Sequence, residues 1–590
     1  MIGAMTDLLP RPVSAEYGPG SFDLSPGDPI CGPADLVDAV RRALPALDLR
    51  STGDGTGPAG RGAPPEADGP AAGETGTAPG TTGTAAGETG AVPDAAVAVE
   101  RDAALGPEAY RLEVSSRGVR IAAAGEAGAF YAAQTLRQLL PDTAFRTGRA
   151  GGSVPAVRIA DAPRFSWRGA HLDVARHFLP KREVLRMIDL MAAHKLNRLH
   201  LHLVDDQGWR VESRAYPRLH EVASHRPRTV TSYYREEETF DDVPHGGYYT
   251  LEDLAEIAAY ARDRAVTVVP EIDVPGHASA ILAAHPELDA RAADGRTPEP
   301  FGVLERWGIS PAILSPLPPT IDFLTAVLDE LLGALGETPY VHIGGDECVL
   351  DDWAASAEIT AFQAELGLSG PGELHAWFLR RLADVLAERG SRAVVWDEAF
   401  VSGALRPDTV VMPWRGPGVA RSAAAAGHDV VQTPIFPLYF DYAEASSEDE
   451  PVAIGDAITV ADVAGFAPAP ESWEPEEAGR VLGAQFQLWS ERLPDGRAVD
   501  YRAWPRGCAL AEVAWSGSAD PSFDARLERH LGRLDALGVE YRPLSGPHPW
   551  QRGGTGWRRH RPGVVRVEDA MKHVEELTRS ADSTRPSTSF

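Results

Sequence analysis

Cysteine is scarce in this chain: Cys31, Cys348 and Cys508 are the only three in 590 residues, too widely spaced for a zinc ribbon or a disulfide framework. That usage fits a reducing compartment. Basic residues are also in deficit, 56 Lys and Arg against 85 Asp and Glu, which leaves a net charge of −29. A field of that sign repels nucleic acid and anionic membrane surfaces, so neither is expected as a partner. No apolar run has the length needed to span a bilayer. The start, Met1 to Pro10, has no cationic stretch and is broken by Asp7 and Pro10, so no secretory signal is expected and the expected location is cytoplasmic. The remainder, 43% hydrophobic and 24% charged, is ordinary globular composition. The length implies two or three domains, and no pattern specifies an oligomeric state.

Residues 51–98 are nearly all Gly, Ala, Thr, Pro and Glu, with Ala-Gly-Glu-Thr-Gly at 72–76 and again at 86–90. Such a segment cannot bury a core, and it reads as a flexible insertion in a small α/β unit over residues 1–160. Within that unit Tyr110–Val114 and Val119–Ala122 alternate like paired strands, and Glu126–Leu140 has helical periodicity with Pro141 as its stop.

From Trp167 the pattern changes to short apolar runs alternating with amphipathic stretches. The expected strands are Gly169–Val174, Arg198–Leu203, Thr267–Ile272, Tyr340–Ile343, Ala393–Trp396, Val410–Trp414, Asp429–Thr433 and Val481–Leu488. Expected helices between them include Lys181–His194, Leu251–Arg264, Ile321–Leu335 and Glu373–Glu388. Eight strands with intervening helices predict an α/β fold, a (β/α)8 TIM barrel over 161–545, preceded by the small accessory domain. The Pro-, Gly- and Arg-rich residues 546–590, with a short helical stretch near 567–577, read as a peripheral tail.

Almost every expected strand ends in polar or aromatic residues: Arg176 and His177, Asp205 and Asp206, Asp273 and His277, Asp346 and Glu347, Trp396, Trp414, Tyr439 and Asp441, Trp489 and Glu491. Any one of these has an ordinary explanation as a turn cap or core filler, but in a barrel these ends converge on one rim, where active sites sit. The most telling pair is Asp346-Glu347. Neighbours on a strand face opposite ways, so both acids can serve one pocket only if the chain leaves the strand at Gly344-Gly345. Tryptophans around carboxylates suit a sugar, whose apolar face stacks on indole while charged groups hold its hydroxyls. Ordinary glycosidases set two carboxyls across the scissile bond. Adjacent acids are poorly placed for that, so one of them is expected to act beside the anomeric carbon.

Five segments carry a resemblance: Leu172-Asp-Val-Ala-Arg-His-Phe178, Asn197-Arg-Leu-His-Leu-His-Leu-Val-Asp-Asp-Gln-Gly-Trp-Arg210, Val269-Pro-Glu-Ile-Asp-Val-Pro-Gly-His277, His342-Ile-Gly-Gly-Asp-Glu347 and Leu488-Trp-Ser-Glu491. Their content and order resemble the β-N-acetylhexosaminidases of glycoside hydrolase family twenty, over roughly residues 100–545. The resemblance implies an exo-acting enzyme, free of cofactor and metal, that hydrolyses terminal β-linked N-acetylglucosamine or N-acetylgalactosamine with the substrate's acetamido group as nucleophile. It makes Glu347 the general acid and base, and Asp346 the partner of the acetamido N–H. Tyr439 would bond the acetamido oxygen. Trp396, Trp414 and Trp489 would wall the pocket, and Arg176, Asp441 and Glu491 would grip the sugar hydroxyls. Asp205 and His277 would support the acid. One family tryptophan lacks a match, since Tyr442–Arg480 holds only Trp473. Three alternatives remain at this stage: a disaccharide-releasing relative, a carbohydrate-binding barrel without turnover, and a metal-dependent hydrolase using His200, His202, Asp205 and Asp206.

Overall fold

A computed structural model of the protein describes residues 7–52, 95–146, 148–233, 236–295, 301–555, 558–563 and 572. Most of the expected insertion over 51–98 lies outside these residues, as does the expected helix over 567–577 apart from Lys572.

The N-terminal unit is a seven-stranded sheet in the order Ser14–Leu24, Gly152–Asp161, Tyr110–Ser115, Gly118–Ala123, Val97–Arg101, Pro29–Cys31, Arg50–Ser51. The two strands read from alternation pair antiparallel, Leu112 opposite Ile121 and Val114 opposite Val119. Their inward residues join Leu36 and Val40 of the helix Ala34–Ala43 and Phe130 and Leu136 of the helix Glu126–Leu139 in one core. The first strand carries Gly18-Pro19-Gly20 in its middle, residues that ordinarily favour a turn. The sheet absorbs these residues as an irregularity where the register slips between Tyr17 and Ser21.

All eight expected barrel strands form: β1 (Trp167–Asp173), β2 (Arg198–His202), β3 (Thr267–Glu271), β4 (Tyr340–His342), β5 (Arg392–Trp396), β6 (Val410–Met412), β7 (Asp429–Gln432) and β8 (Val481–Phe486). They close in the order β3-β4-β5-β6-β7-β8-β1-β2, and each neighbouring pair is parallel. The helix Leu251–Arg262 starts at a capping box in which Thr250 and Asp253 satisfy each other's backbone N–H groups. The helices Pro318–Leu335 and Pro371–Glu388 begin earlier than periodicity indicated, because proline is well tolerated in a first turn. None of the helices among the described residues is long and apolar enough to cross a membrane.

A buried polar seam joins the two units. Arg168 of β1 is fully buried and donates to both carboxylate oxygens of Glu108 (2.7 and 3.1 Å) and to the Phe165 carbonyl. Lys195 reaches Asp161 (3.1 Å) and the Tyr110 hydroxyl (2.9 Å), and the Trp515 indole N–H also donates to Asp161 (2.9 Å). Removing one partner of a buried pair strands the other, so Arg168→Met is expected to cost about 3–5 kcal/mol. Arg158→Ala, which removes only a surface pair with Glu113, is expected to cost less than about 1 kcal/mol. Urea unfolding of both variants checks this, and equal midpoints would contradict it.

Candidate active site

The chain leaves β4 through three left-handed residues, Gly344 (φ 64°), Gly345 (φ 98°) and Glu347 (φ 51°). A Cβ on Gly344 would lie 1.7 Å from Asp273 Oδ1, so only glycine fits, and the Gly345 N–H donates to that same oxygen (3.3 Å). This exit turns both acids toward one imidazole: His277 Nε2 lies 3.8 Å from Asp346 Oδ2 and 3.4 Å from Glu347 Oε2. The loop that carries His277 packs close beneath, since a Cβ on Gly276 would sit 3.2 Å from the Asp346 carbonyl oxygen. The other nitrogen of His277, Nδ1, faces Asp205 (3.2 Å) and Asp206 (3.4 Å). Burial disfavours the charged ring, yet Asp205 and Asp273 outweigh it and hold His277 protonated well above the usual histidine range. Asp346 is pushed well above the usual carboxylate range by burial and then by Asp273, with His277 pulling the other way.

Below this pair the barrel interior is polar. Glu271, at the end of β3, is fully buried and contacts His202 Nδ1 through Oε2, which also lies 3.0 Å from His200 Nε2. Its Oε1 accepts the Trp396 indole N–H (2.9 Å) and lies 2.8 Å from His342 Nδ1. Burial would raise this carboxyl, but His342, His202 and His200 outweigh burial and hold it well below the usual range. The tautomer of His200 follows from its neighbours. Gln485 accepts from the Trp167 indole and so donates through its amide nitrogen to His200 Nδ1 (3.0 Å), which leaves the ring proton on Nε2, toward Glu271.

If β2 continued past His202, alternation would place Asp205 on the opposite face from it. β2 ends at His202, and the short hairpin formed by Val204–Asp205 and Gly208–Trp209 brings Asp205 Oδ2 to 2.8 Å from His202 Nε2. Both nitrogens of His202 face carboxylates, and Glu271 and Asp205 overcome burial to hold the ring protonated well above its usual range.

The far side of the pocket is built on Arg176. Its guanidinium meets Asp205 Oδ2 (2.7 Å), Asp173 Oδ2 (3.4 Å) and Gln207 Oε1 (3.1 Å), and it lies over the Trp489 ring at 4.9 Å. Trp489 in turn sits 5.9 Å from the Trp396 ring and 6.2 Å from Tyr439. Trp414 donates to Glu398 (2.9 Å). One oxygen each of Asp346, Asp441, Glu491 and Glu398 is buried with no hydrogen-bond partner. Burial and then Glu491 push Asp441 well above the usual range. Contacts thus link eight of the eleven expected residues, Arg176, Asp205, His277, Asp346, Glu347, Trp396, Tyr439 and Trp489, while Trp414 meets Glu398, and Asp441 and Glu491 act on each other electrostatically. Trp473 is buried in the same hydrophobic cluster as Trp396, Trp414 and Trp489.

Glu271, His342, Gln207 and Glu398 had not been singled out, while Asp273 was noted only as a strand-end residue and His202 only as a candidate metal ligand. Glu271 and Asp273 alternate in Val-Pro-Glu-Ile-Asp within a quoted motif, which could have marked them as facing the same interior. Glu398 lies two residues after Trp396, but Trp396-Asp397-Glu398 gave no period to follow because β5 ends at Trp396.

A carboxyl with a higher pKa in the folded than in the unfolded chain binds its proton more tightly when folded. Its contribution to stability is therefore full below the ordinary carboxylate range and is lost as pH rises toward the folded value. Asp441→Asn is accordingly expected to raise the thermal midpoint, and by more at pH 8 than at pH 5. A gain that shrinks as pH rises would contradict the assignment.

Residues 165–518 match the model of glycosyl hydrolase family 20, catalytic domain, and residues 5–162 match that family's domain 2. A β-hexosaminidase of Porphyromonas gingivalis is 38% identical over 466 residues, covering 78% of this chain and 57% of its own length. One from Akkermansia muciniphila is 35% identical over 419 residues, 70% of this chain and 80% of the relative. Among solved structures, the Vibrio harveyi exo-β-N-acetylglucosaminidase in complex with N-acetylglucosamine superposes with a TM-score of 0.72 at 28% identity, covering 91% of this chain and 78% of that one. On barrel, N-terminal domain and sequence together, the chain belongs to glycosyl hydrolase family 20.

Proposed function

We propose that the protein is an exo-acting, retaining β-N-acetylhexosaminidase that removes terminal N-acetylglucosamine or N-acetylgalactosamine by substrate-assisted catalysis. The observation that carries this reading is the placement of Asp346 and Glu347 side by side on one imidazole, not opposed across a cleft. A nucleophile is then needed from elsewhere, and the 2-acetamido group of the substrate supplies it at high effective concentration.

In the first step the acetamido oxygen attacks the anomeric carbon, the glycosidic C–O bond breaks, and Glu347 gives its proton to the departing oxygen. Asp346 acts as a carboxylate: its buried, unpartnered oxygen accepts the acetamido N–H, and the positive charge of the oxazolinium ion favours the ionised form that burial and Asp273 disfavour. In the second step water attacks the anomeric carbon, Glu347 takes its proton, and the acetamido group is released from the ring. The His277 ring lies 3.4 Å from Glu347, beside the proton-transferring oxygen. Tyr439 directs its hydroxyl at the acetamido oxygen, while Trp396, Trp414 and Trp489 enclose the methyl group and the sugar ring. Arg176, pinned by Asp173, Asp205 and Gln207, closes the far edge with Glu491 and supports exo action.

Hydrolysis of a chromogenic β-N-acetylglucosaminide beside the matching β-glucoside tests the mechanism. Only the acetamido sugar is expected to be cleaved, with inhibition by N-acetylglucosamine-thiazoline, and equal cleavage of the glucoside would overturn it. Glu347→Gln is expected to lower kcat by about 10²–10⁴. Asp346→Asn, which removes the charge facing the intermediate, is expected to lower it by about 10²–10³.

A further inference from the structure

On the glycosidase reading Asp441 and Glu491 grip the sugar's hydroxyls, and chain next to both of them converges on one tyrosine. Tyr233 is buried, and its hydroxyl donates to the Ala453 carbonyl (3.0 Å). The next residue, Ile454, donates its N–H to the carbonyl of Asp441 (3.3 Å). On the other flank Arg492, adjacent to Glu491, lies over the Tyr233 ring at 5.8 Å and donates to the Ser232 carbonyl (3.1 Å). Tyr233 is therefore tied to the loops of both carboxylates.

Its remaining support comes from the far end of the chain. Arg561 lies over the same ring at 5.5 Å and pairs with Glu236. Around it, Arg559 forms a β-bridge with Pro451 and an ion pair with Glu448, His560 is buried, and the Gly563 N–H donates to Asp456 (3.1 Å). Residues 559–563 thus bind both the loop that carries Ala453 and the one that carries Tyr233. Asp441 and Glu491 are two desolvated carboxyls that repel each other, so the loops that bear them need a tie to stay closed around a sugar.

We propose that residues 559–563 form a strap that acts through Tyr233 to position Asp441 and Glu491, so that this C-terminal segment sets how tightly the far edge of the terminal sugar is held. Tyr233 and Arg561 are positioning residues. The inference rests on the glycosidase reading for the identity of the sugar, while the coupling itself rests on the contacts above.

Arg561→Ala, Arg561→Lys and Tyr233→Phe test it. The Arg561 side chain is 41% exposed, so its loss is compatible with folding. For the chromogenic β-N-acetylglucosaminide, KM is expected to rise about three- to tenfold in Arg561→Ala with kcat within about twofold, and Arg561→Lys to restore part of the loss. The preference between the glucosamine and galactosamine substrates is expected to narrow, because they differ only in the far-edge 4-hydroxyl. Titrating free N-acetylglucosamine against tryptophan fluorescence is expected to show the same weakening. Unchanged KM and sugar affinity with only a lower thermal midpoint would overturn the strap, as would a fall in kcat at constant KM. If the wild type cleaves neither substrate, the glycosidase reading fails and the fluorescence titration still decides the strap. A wild type that binds no N-acetylglucosamine overturns both.

Discussion

The left-handed exit from β4 is the constraint on which the site depends. Two consecutive carboxylates can face the same group only if the strand breaks between the barrel wall and the pair, and Gly344 and Gly345 make that break with conformations open to glycine. Gly344 is required twice, by its φ and by the 1.7 Å approach of Asp273. Glu347 has no such freedom and carries the strain, on the order of 1–3 kcal/mol. The surrounding contacts hold it there: Asp273 accepts the Gly345 N–H, and the Cys348 thiol donates to the Asp346 carbonyl (3.3 Å). Strain stored at the residue read as the general acid, with its support drawn from β3 and its own loop, is a preorganised arrangement.

Electrostatics divides the pocket into two layers. Beneath, Glu271 and Asp205 are surrounded by histidines and Arg176, which overcome the effect of burial and hold both carboxyls well below their usual range. This ionised layer orients Trp396 through its indole N–H and fixes Arg176. Above it, burial outweighs the pull of His277 on Asp346, and burial with Glu491 outweighs the arginines that act on Asp441, so both carboxyls are pushed well above that range. A polar ligand entering the upper layer finds acceptors and donors already desolvated and aimed. The stability forgone by burying them is offset elsewhere, in the barrel's apolar core and the seam centred on Arg168.

Much of this was legible in the residues themselves. Short runs rich in apolar residues marked all eight strands, since the face that each turns to the helices is buried. Their polar and aromatic ends marked the rim, and the Gly-Gly break marked the paired acids. Less legible was whatever ran against local pattern. The strand Ser14–Leu24 hides a Gly-Pro-Gly that its sheet partner tolerates, and helices opened by Pro318 and Pro371 start before their apolar periodicity does. The reach of Asp205 toward His202 depends on a two-residue hairpin that alternation does not foresee.

The amino-acid sequence by itself determined the barrel, the domain before it, and the identity of the residues lining the rim, because periodicity, glycine placement and side-chain chemistry are local properties. Tertiary structure alone decided the electrostatic standing of each group. Asp205 and Asp441 are the same side chain at comparable depth, yet one lies beside Arg176 and His277 and the other beside Glu491, so burial ends in opposite outcomes. It also decided which distant segments meet, bringing Arg561 to Tyr233 and Glu108 to Arg168. Those pairings depend on how the closed barrel places its loops in space, and no spacing along the chain encodes them.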